Sequence, residues 1–160
     1  MIRDCIPADA NKIAAIYNHY VANTVVSFEE EPISPQTMAQ RIDAITPNYP
    51  WLVYLEQEKI LGYAYASAWK TRHAYRHSVE TSIYMDIEGA GKGWGTRLYQ
   101  ALLQRLLELP VHSVIGGIAL PNQASIRLHE KLGFEKVAHF KEVGRKLDRW
   151  VDVAYWELIL

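Results

Sequence analysis

The chain has 160 residues, 49% of them hydrophobic and 22% charged, the size and mix of one soluble domain able to bury a core. Its formal net charge of −1 argues against a nucleic-acid partner held mainly by phosphate contacts, and no run approaches the roughly 20 apolar residues that span a bilayer. Cys5 is the single cysteine, so an internal disulfide and a cysteine-held zinc are excluded and no metal is expected. The acids in MIRDCIPAD interrupt any signal-peptide core, and the expected compartment is the cytoplasm.

In chain order, Met1 to Ile6 is short and mostly apolar, and Pro7 with Asp9 marks a helix start. Ile13, Ile16, Tyr17, Tyr20 and Val21 recur at helical spacing and predict one buried face. Ser34-Pro35 opens a second helix, as N-cap and first helical position, which runs to about Ile45 and stops before Pro47. Trp51 to Glu56 and Ile60 to Trp69 read as a hairpin. Ser78 to Asp86 reads as a strand with Glu80, Ser82 and Tyr84 on one face and Val79, Thr81 and Ile83 on the other. A glycine-rich stretch from Gly89 to Gly95 leads into a helix with Trp94, Leu98, Ala101, Leu102, Leu106 and Leu109 at its apolar positions. A strand over Val111 to Ile118, a helix over Pro121 to Leu132 closed by Gly133, and strands near Phe134 to Val143 and Trp150 to Ile159 complete the chain. The order β-α-α-β-β-β-α-β-α-β-β predicts a mixed α/β fold, one sheet with helices on its faces, in a single domain over 1–160.

The sharpest local signal is GAGKGWGT, residues 89–96, between a strand and a long helix. Glycines let a ligand approach the backbone, and helix-start amides favour a phosphate. A P-loop would need glycine at position 86 and Ser or Thr at 93, where Asp86 and Gly93 stand. A dinucleotide fingerprint starting at Gly91 would need glycine at 96, where Thr96 stands. What remains is either another phosphate-binding loop or a strand-to-helix turn with no ligand. Downstream, in LPNQASIRLHEKLGFEKV, Asn122, Ser125 and His129 are spaced to share one helix face.

These two segments together resemble the GNAT superfamily of N-acetyltransferases. The loop is similar to its pyrophosphate-binding segment, [Q/R]-x-x-G-x-[G/A], aligned over Ala90 to Gly95 with Ala90 in place of the usual Arg or Gln. Leu132-Gly133-Phe134 is similar to the closure of its cofactor-side helix. NTVVSFEEEP (23–32), RHAYRHSVETSIYM (72–85), NQASIRLHEKLGF (122–134) and VGRKLDRWVDVAYWEL (143–158) resemble the phosphinothricin and methionine sulfoximine N-acetyltransferases, with Asp148 where that family has glycine.

The resemblance implies a GNAT fold: a central mixed, mostly antiparallel sheet flanked by helices, with splayed strands forming an acetyl-CoA cleft. It implies acetyl-CoA as cosubstrate, a small amino-acid-like amine as acceptor, and a homodimer. The cosubstrate would be held by Ile83, Tyr84 and Met85, by the loop Ala90, Gly91, Lys92, Gly93, Trp94, Gly95 and Thr96, and by Asn122 and Ser125. Glu80 would take the amine proton, directly or through water; spacing alone equally allows a solvated carboxylate or an ion pair with Arg72 or Arg76. His129 would protonate or hydrogen-bond the leaving thiolate, against the plainer reading of a packed helix histidine. Arg72, Tyr75 and Arg76 would hold the acceptor's anionic groups, against a solvated basic turn, and Phe28 and Glu29 would form the opposite wall. For Trp150, Tyr155 and Trp156, core packing or a dimer contact is expected. The alternatives are a different amine acceptor, such as a polyamine, aminoglycoside or peptide N-terminus, and a CoA-binding module without catalysis.

Overall fold

Local capping chemistry sets several element boundaries in the computed structural model, which describes residues 1–89 and 91–160. The Ser34 hydroxyl accepts from the Thr37 amide at 3.1 Å, and Pro35 takes the first helical position, where no N–H is needed. Asn122 does the same for a later helix, its side-chain oxygen accepting from the Ser125 amide at 3.1 Å. That helix ends at Gly133, whose φ of +91° only glycine adopts without strain. Gly93, at φ +76°, starts the glycine-loop helix from the same left-handed region.

The elements are β1 (Ile2–Asp4), α1 (Ala10–Asn23), α2 (Pro35–Ile45), β2 (Trp51–Glu56), β3 (Lys59–Ala68), β4 (Ser78–Met85), α3 (Trp94–Leu107), β5 (Ser113–Ala119), α4 (Gln123–Lys131), β6 (Glu135–Lys146) and β7 (Arg149–Ile159). Their order is the one read from the sequence. Boundaries shift by one to three residues: β6 runs three residues past Val143, through a bulge between Phe140 and Gly144, β5 starts at Ser113 rather than Val111, and α4 starts after Asn122, which serves as its cap. No helix among the described residues is long and apolar enough to cross a membrane.

All seven strands lie in one sheet, ordered β1-β2-β3-β4-β5-β7-β6. Every neighbouring pair is antiparallel except β4 with β5. Alternation in β2 assigns its two faces: Trp51, Val53 and Leu55 pack with α1 and α2, while Leu52 and Tyr54 pack with α3. Leu98, Leu102 and Leu106 of α3 are fully buried, each contributing about 1.5–3 kcal/mol of apolar burial. This mixed, mostly antiparallel sheet with helices on both faces matches the expected architecture.

Candidate active site

The parallel pair β4–β5 is joined only over Ser78–Glu80 and Ser113–Ile115. Beyond Glu80, β4 stays paired to β3 as far as Met85, and β5 stays paired to β7 as far as Ala119. The two strands therefore separate and leave a wedge in the sheet, into which β4 presents backbone groups not taken by β3.

One cavity of about 710 Å³ lies on the α1 side of the wedge, and a smaller one of about 50 Å³ lies within it toward α4. Val26, Ser82, Tyr84, Gly117 and Ala119 line both, so the two spaces adjoin through the gap.

Glu80 sits at the apex of the wedge, in the larger cavity. Among the described residues its carboxylate has no hydrogen-bond or ion-pair partner. Burial pushes its pKa above the ordinary range, and the charge of Lys70 pulls it part of the way back. Tyr155 of β7 crosses over Gly117 beside it, and Trp69 meets Tyr155 edge-on at 5.6 Å. The remaining wall is largely apolar, from Val26, Phe28, Val137, Phe140 and Val143. The charged lining groups are Lys70, Glu80 and Glu157.

His129 reaches the smaller cavity together with Asn122 and Ser125. It is only 4% exposed and packs edge-on between Tyr99 and Phe134. Its Nδ1 donates to the Ser125 carbonyl at 2.8 Å, which leaves Nε2 to accept from the Tyr99 hydroxyl at 3.1 Å. Tyr99 in turn lies 2.6 Å from the Thr81 hydroxyl, another lining group of the wedge. Burial lowers the His129 pKa, so the neutral ring that this chain of bonds requires is the favoured one.

The glycine loop abuts the end of β4. A Cβ added at Gly95 would stand 3.6 Å from Met85 Cγ and 3.8 Å from Ile83 Cδ1. At Gly91 and Gly93, both at positive φ, an added Cβ would meet nothing within 4 Å, so the outer side of the loop is open. Gly93 gives α3 no side-chain cap, so no side chain of that residue meets its first-turn amides. Lys92 lies 4.5 Å over the Trp94 ring. The nearby acids are neutralised by partners: Asp86 by Lys12 at 2.7 Å and Glu88 by Lys59 at 2.6 Å. Ala90 lies outside the described residues.

The structure thus brings Phe28, Glu80, Ser82 and Tyr84 to one cavity and Ile83, Asn122, Ser125 and His129 to the adjoining one, with Met85, Gly95 and Thr96 close by on β4 and α3. It does not bring Glu29 or the basic turn into the cavity lining. Glu29 accepts from Arg41 at 2.5 and 3.0 Å and from Tyr17, and Arg41 holds its pKa below the carboxylate norm. Arg72, Tyr75 and Arg76 are exposed, and Arg76 donates to the His73 carbonyl within its own turn. Among the lining residues that the sequence reading did not place in the site are Trp69, Lys70 and Glu157, and Tyr155, expected in core packing or a dimer contact, lines the cavity instead. The signal for Tyr155 was the alternation of β7, in which buried Ala154 and Trp156 flank it. Trp156 is core, as expected.

The profile of the acetyltransferase (GNAT) domain family matches residues 2–155. The chain belongs to the GNAT acetyltransferase family. Phosphinothricin N-acetyltransferase of Streptomyces coelicolor is 36% identical over 160 residues, covering 98% of this chain and 94% of its own. L-methionine sulfoximine/L-methionine sulfone acetyltransferase of Pseudomonas aeruginosa is 37% identical over 161 residues, covering 99% and 94%. The crystal structure of a GNAT phosphinothricin acetyltransferase from Sinorhizobium meliloti, in complex with acetyl-CoA, superposes with a TM-score of 0.97 at 41% identity, over 100% of this chain and 88% of that one. The GNAT chain described above is accordingly an N-acetyltransferase.

Proposed function

We propose that this GNAT enzyme transfers acetyl from acetyl-CoA to the α-amino group of a small amino acid related to methionine sulfone, methionine sulfoximine or phosphinothricin. One observation carries the reading: the Glu80 carboxylate, without a partner among the described residues, lies where the sheet opens, in a cavity of about 710 Å³ that adjoins the wedge. The named activities of the relatives supply the acceptor class.

The residues present fit the cosubstrate. Gly91, Lys92, Gly93, Gly95 and Thr96, with the first-turn amides of α3, offer an open, acid-neutralised seat for a pyrophosphate. Trp94, laid under Lys92, backs that seat. Asn122 and Ser125 flank the wedge that would take the pantetheine arm. When bound, acetyl-CoA supplies an activated acetyl thioester.

The chain's own groups do the rest. An α-ammonium with a pKa of about 8 or above is mostly protonated at neutral pH, and Glu80, whose carboxylate burial makes more basic than usual, accepts its proton. The amides of Ile83 and Met85, which alternate with the Tyr84 amide directed at β3, face the wedge and donate to an oxygen that gains negative charge during transfer. His129, neutral and accepting from the Tyr99 hydroxyl, fixes the Tyr99 and Thr81 hydroxyls beside the wedge, and the departing thiolate takes up the proton that the attacking nitrogen sheds on becoming an amide. Arg72, Tyr75 and Arg76 belong to the exposed loop that leads into β4, and their contribution is to the surroundings of the site. The exposed apolar strip along β6 and β7 fits a homodimer contact.

Glu80→Gln tests the reading. Thiol release from acetyl-CoA with methionine sulfone should fall by about 10²- to 10⁴-fold, and the thermal shift caused by CoA should persist. In the parent enzyme, kcat/KM should rise with pH through the Glu80 ionisation, since only the carboxylate accepts a proton, and this acidic limb should vanish in the variant. An undiminished rate would remove Glu80 as the base. A parent that binds CoA but acetylates no amine would establish the binding-module reading instead.

A further inference from the structure

An α-amino acid carries its ammonium and carboxylate on the same carbon. A protein cation that reads the carboxylate must therefore lie close enough to the general base to influence it. Lys70 meets this condition: it lines the same cavity as Glu80, and its charge is the one that acts on that carboxylate. Two features fix its place. The Trp69 amide donates to the Ser78 carbonyl at 3.2 Å, pinning the exit of β3 against the entry of β4. The Lys70 ammonium lies 4.8 Å from the Trp69 ring, which is itself held edge-on against Tyr155. Among the described residues Lys70 forms no ion pair, unlike Lys12, Lys59 and Arg41. Its charge is available to an incoming anion.

The inventory of the cavity then limits the rest of the acceptor. Against the single cation Lys70 stand two carboxylates, Glu80 and Glu157, and Glu157 accepts from the Ser113 hydroxyl at 3.0 Å. Register places Glu80, Ile115 and Glu157 in one row across β4, β5 and β7, so the two acids are about 10 Å apart at the backbone. One acceptor carboxylate has a partner here. A second acceptor anion would face an apolar wall and two like charges, which disfavours its burial.

Granting the reading that the acceptor is an amino acid, we infer that Lys70 anchors its α-carboxylate and that the cavity selects an uncharged side-chain head. Methionine sulfone and methionine sulfoximine are then preferred over phosphinothricin, which carries an additional phosphinate anion.

The experiment compares three acceptors with acetyl-CoA on the parent, Lys70→Met and Lys70→Arg: methionine sulfone, its decarboxylated amine 3-(methylsulfonyl)propylamine, and phosphinothricin. In the parent, kcat/KM for methionine sulfone should exceed that for phosphinothricin by tenfold or more. In Lys70→Met, the ratio of kcat/KM for methionine sulfone to that for the decarboxylated amine should fall at least tenfold, mostly through KM. Lys70→Arg should restore most of that ratio. An unchanged ratio in Lys70→Met, or the same fall produced by Arg72→Gln instead, overturns the anchor while leaving amino-acid acetylation intact. Phosphinothricin used as well as methionine sulfone overturns the charge selection. A parent that acetylates the amine but none of the amino acids overturns this inference and the amino-acid reading together.

Discussion

At Gly117 an added Cβ would lie 2.9 Å from Tyr155 Cε1 and 3.4 Å from a Glu80 carboxylate oxygen. The backbone there tolerates alanine, so Gly117→Ala should leave the far-ultraviolet circular dichroism unchanged and push Tyr155 and Glu80 apart. We expect kcat/KM to drop about tenfold or more, since displacements of about 1 Å at a reacting group can cost 10²-fold; parental activity in the variant would show that the contact is not used. Gly117 also illustrates what sequence can reveal at this scale. Glu80 was legible because strand alternation and a family motif point to the same residue. Lys70, Trp69 and Tyr155 were not, because they meet only when the exit of β3 folds over β7, nearly 90 positions apart in the chain. Glu29 was placed in the wall with Phe28 through the family resemblance, yet the arrival of Arg41 from α2 draws it into an ion pair. No local pattern encodes that pairing.

Between elements, the acceptor wall depends on a join between the β6–β7 hairpin and the segment after α1. Lys146 is 3% exposed and donates from Nζ to the Ser27 carbonyl at 2.6 Å. The Phe28 ring lies directly over Gly144, where a Cβ would overlap it. Both contacts set the Phe28 edge of the cavity. Lys146→Met keeps the aliphatic stem but leaves the carbonyl without this donor, and should cost about 1–3 kcal/mol in urea unfolding while raising KM for the acceptor. Stability and KM both at parental values would mean that the join is idle. The order of these elements was readable from periodicity, proline and glycine alone. The β6 bulge was not: it lets twelve residues of β6 follow β7 while re-aiming Phe140 and Val143, and it arises from pairing rather than from composition.

For the whole molecule, the exposed hydrophobic residues concentrate on one hairpin: Val137, Phe140, Val143, Leu147 and Trp150 are each more than half exposed. Scattered singly they would need no explanation, but in one strip they fit a contact with a second copy of the chain. Sedimentation at micromolar concentration should give twice the 18.3 kDa chain mass, and Trp150→Asp should shift it toward monomer; a parent that sediments only as monomer removes the dimer. The mixed, mostly antiparallel character of the sheet came through the family resemblance; its strand order and the one parallel junction were not legible, since alternation within a strand says nothing about its neighbour.

That junction has a practical side. Three residue pairs are the only described rungs between the four-stranded and three-stranded parts of the sheet. Whatever lodges in the gap works as a splint, bracing two leaves that the backbone ties at one end. Occupancy is then legible as resistance to heat or protease, so inhibitors of this enzyme can be found by melting the protein with candidate compounds, before any natural acceptor has been identified.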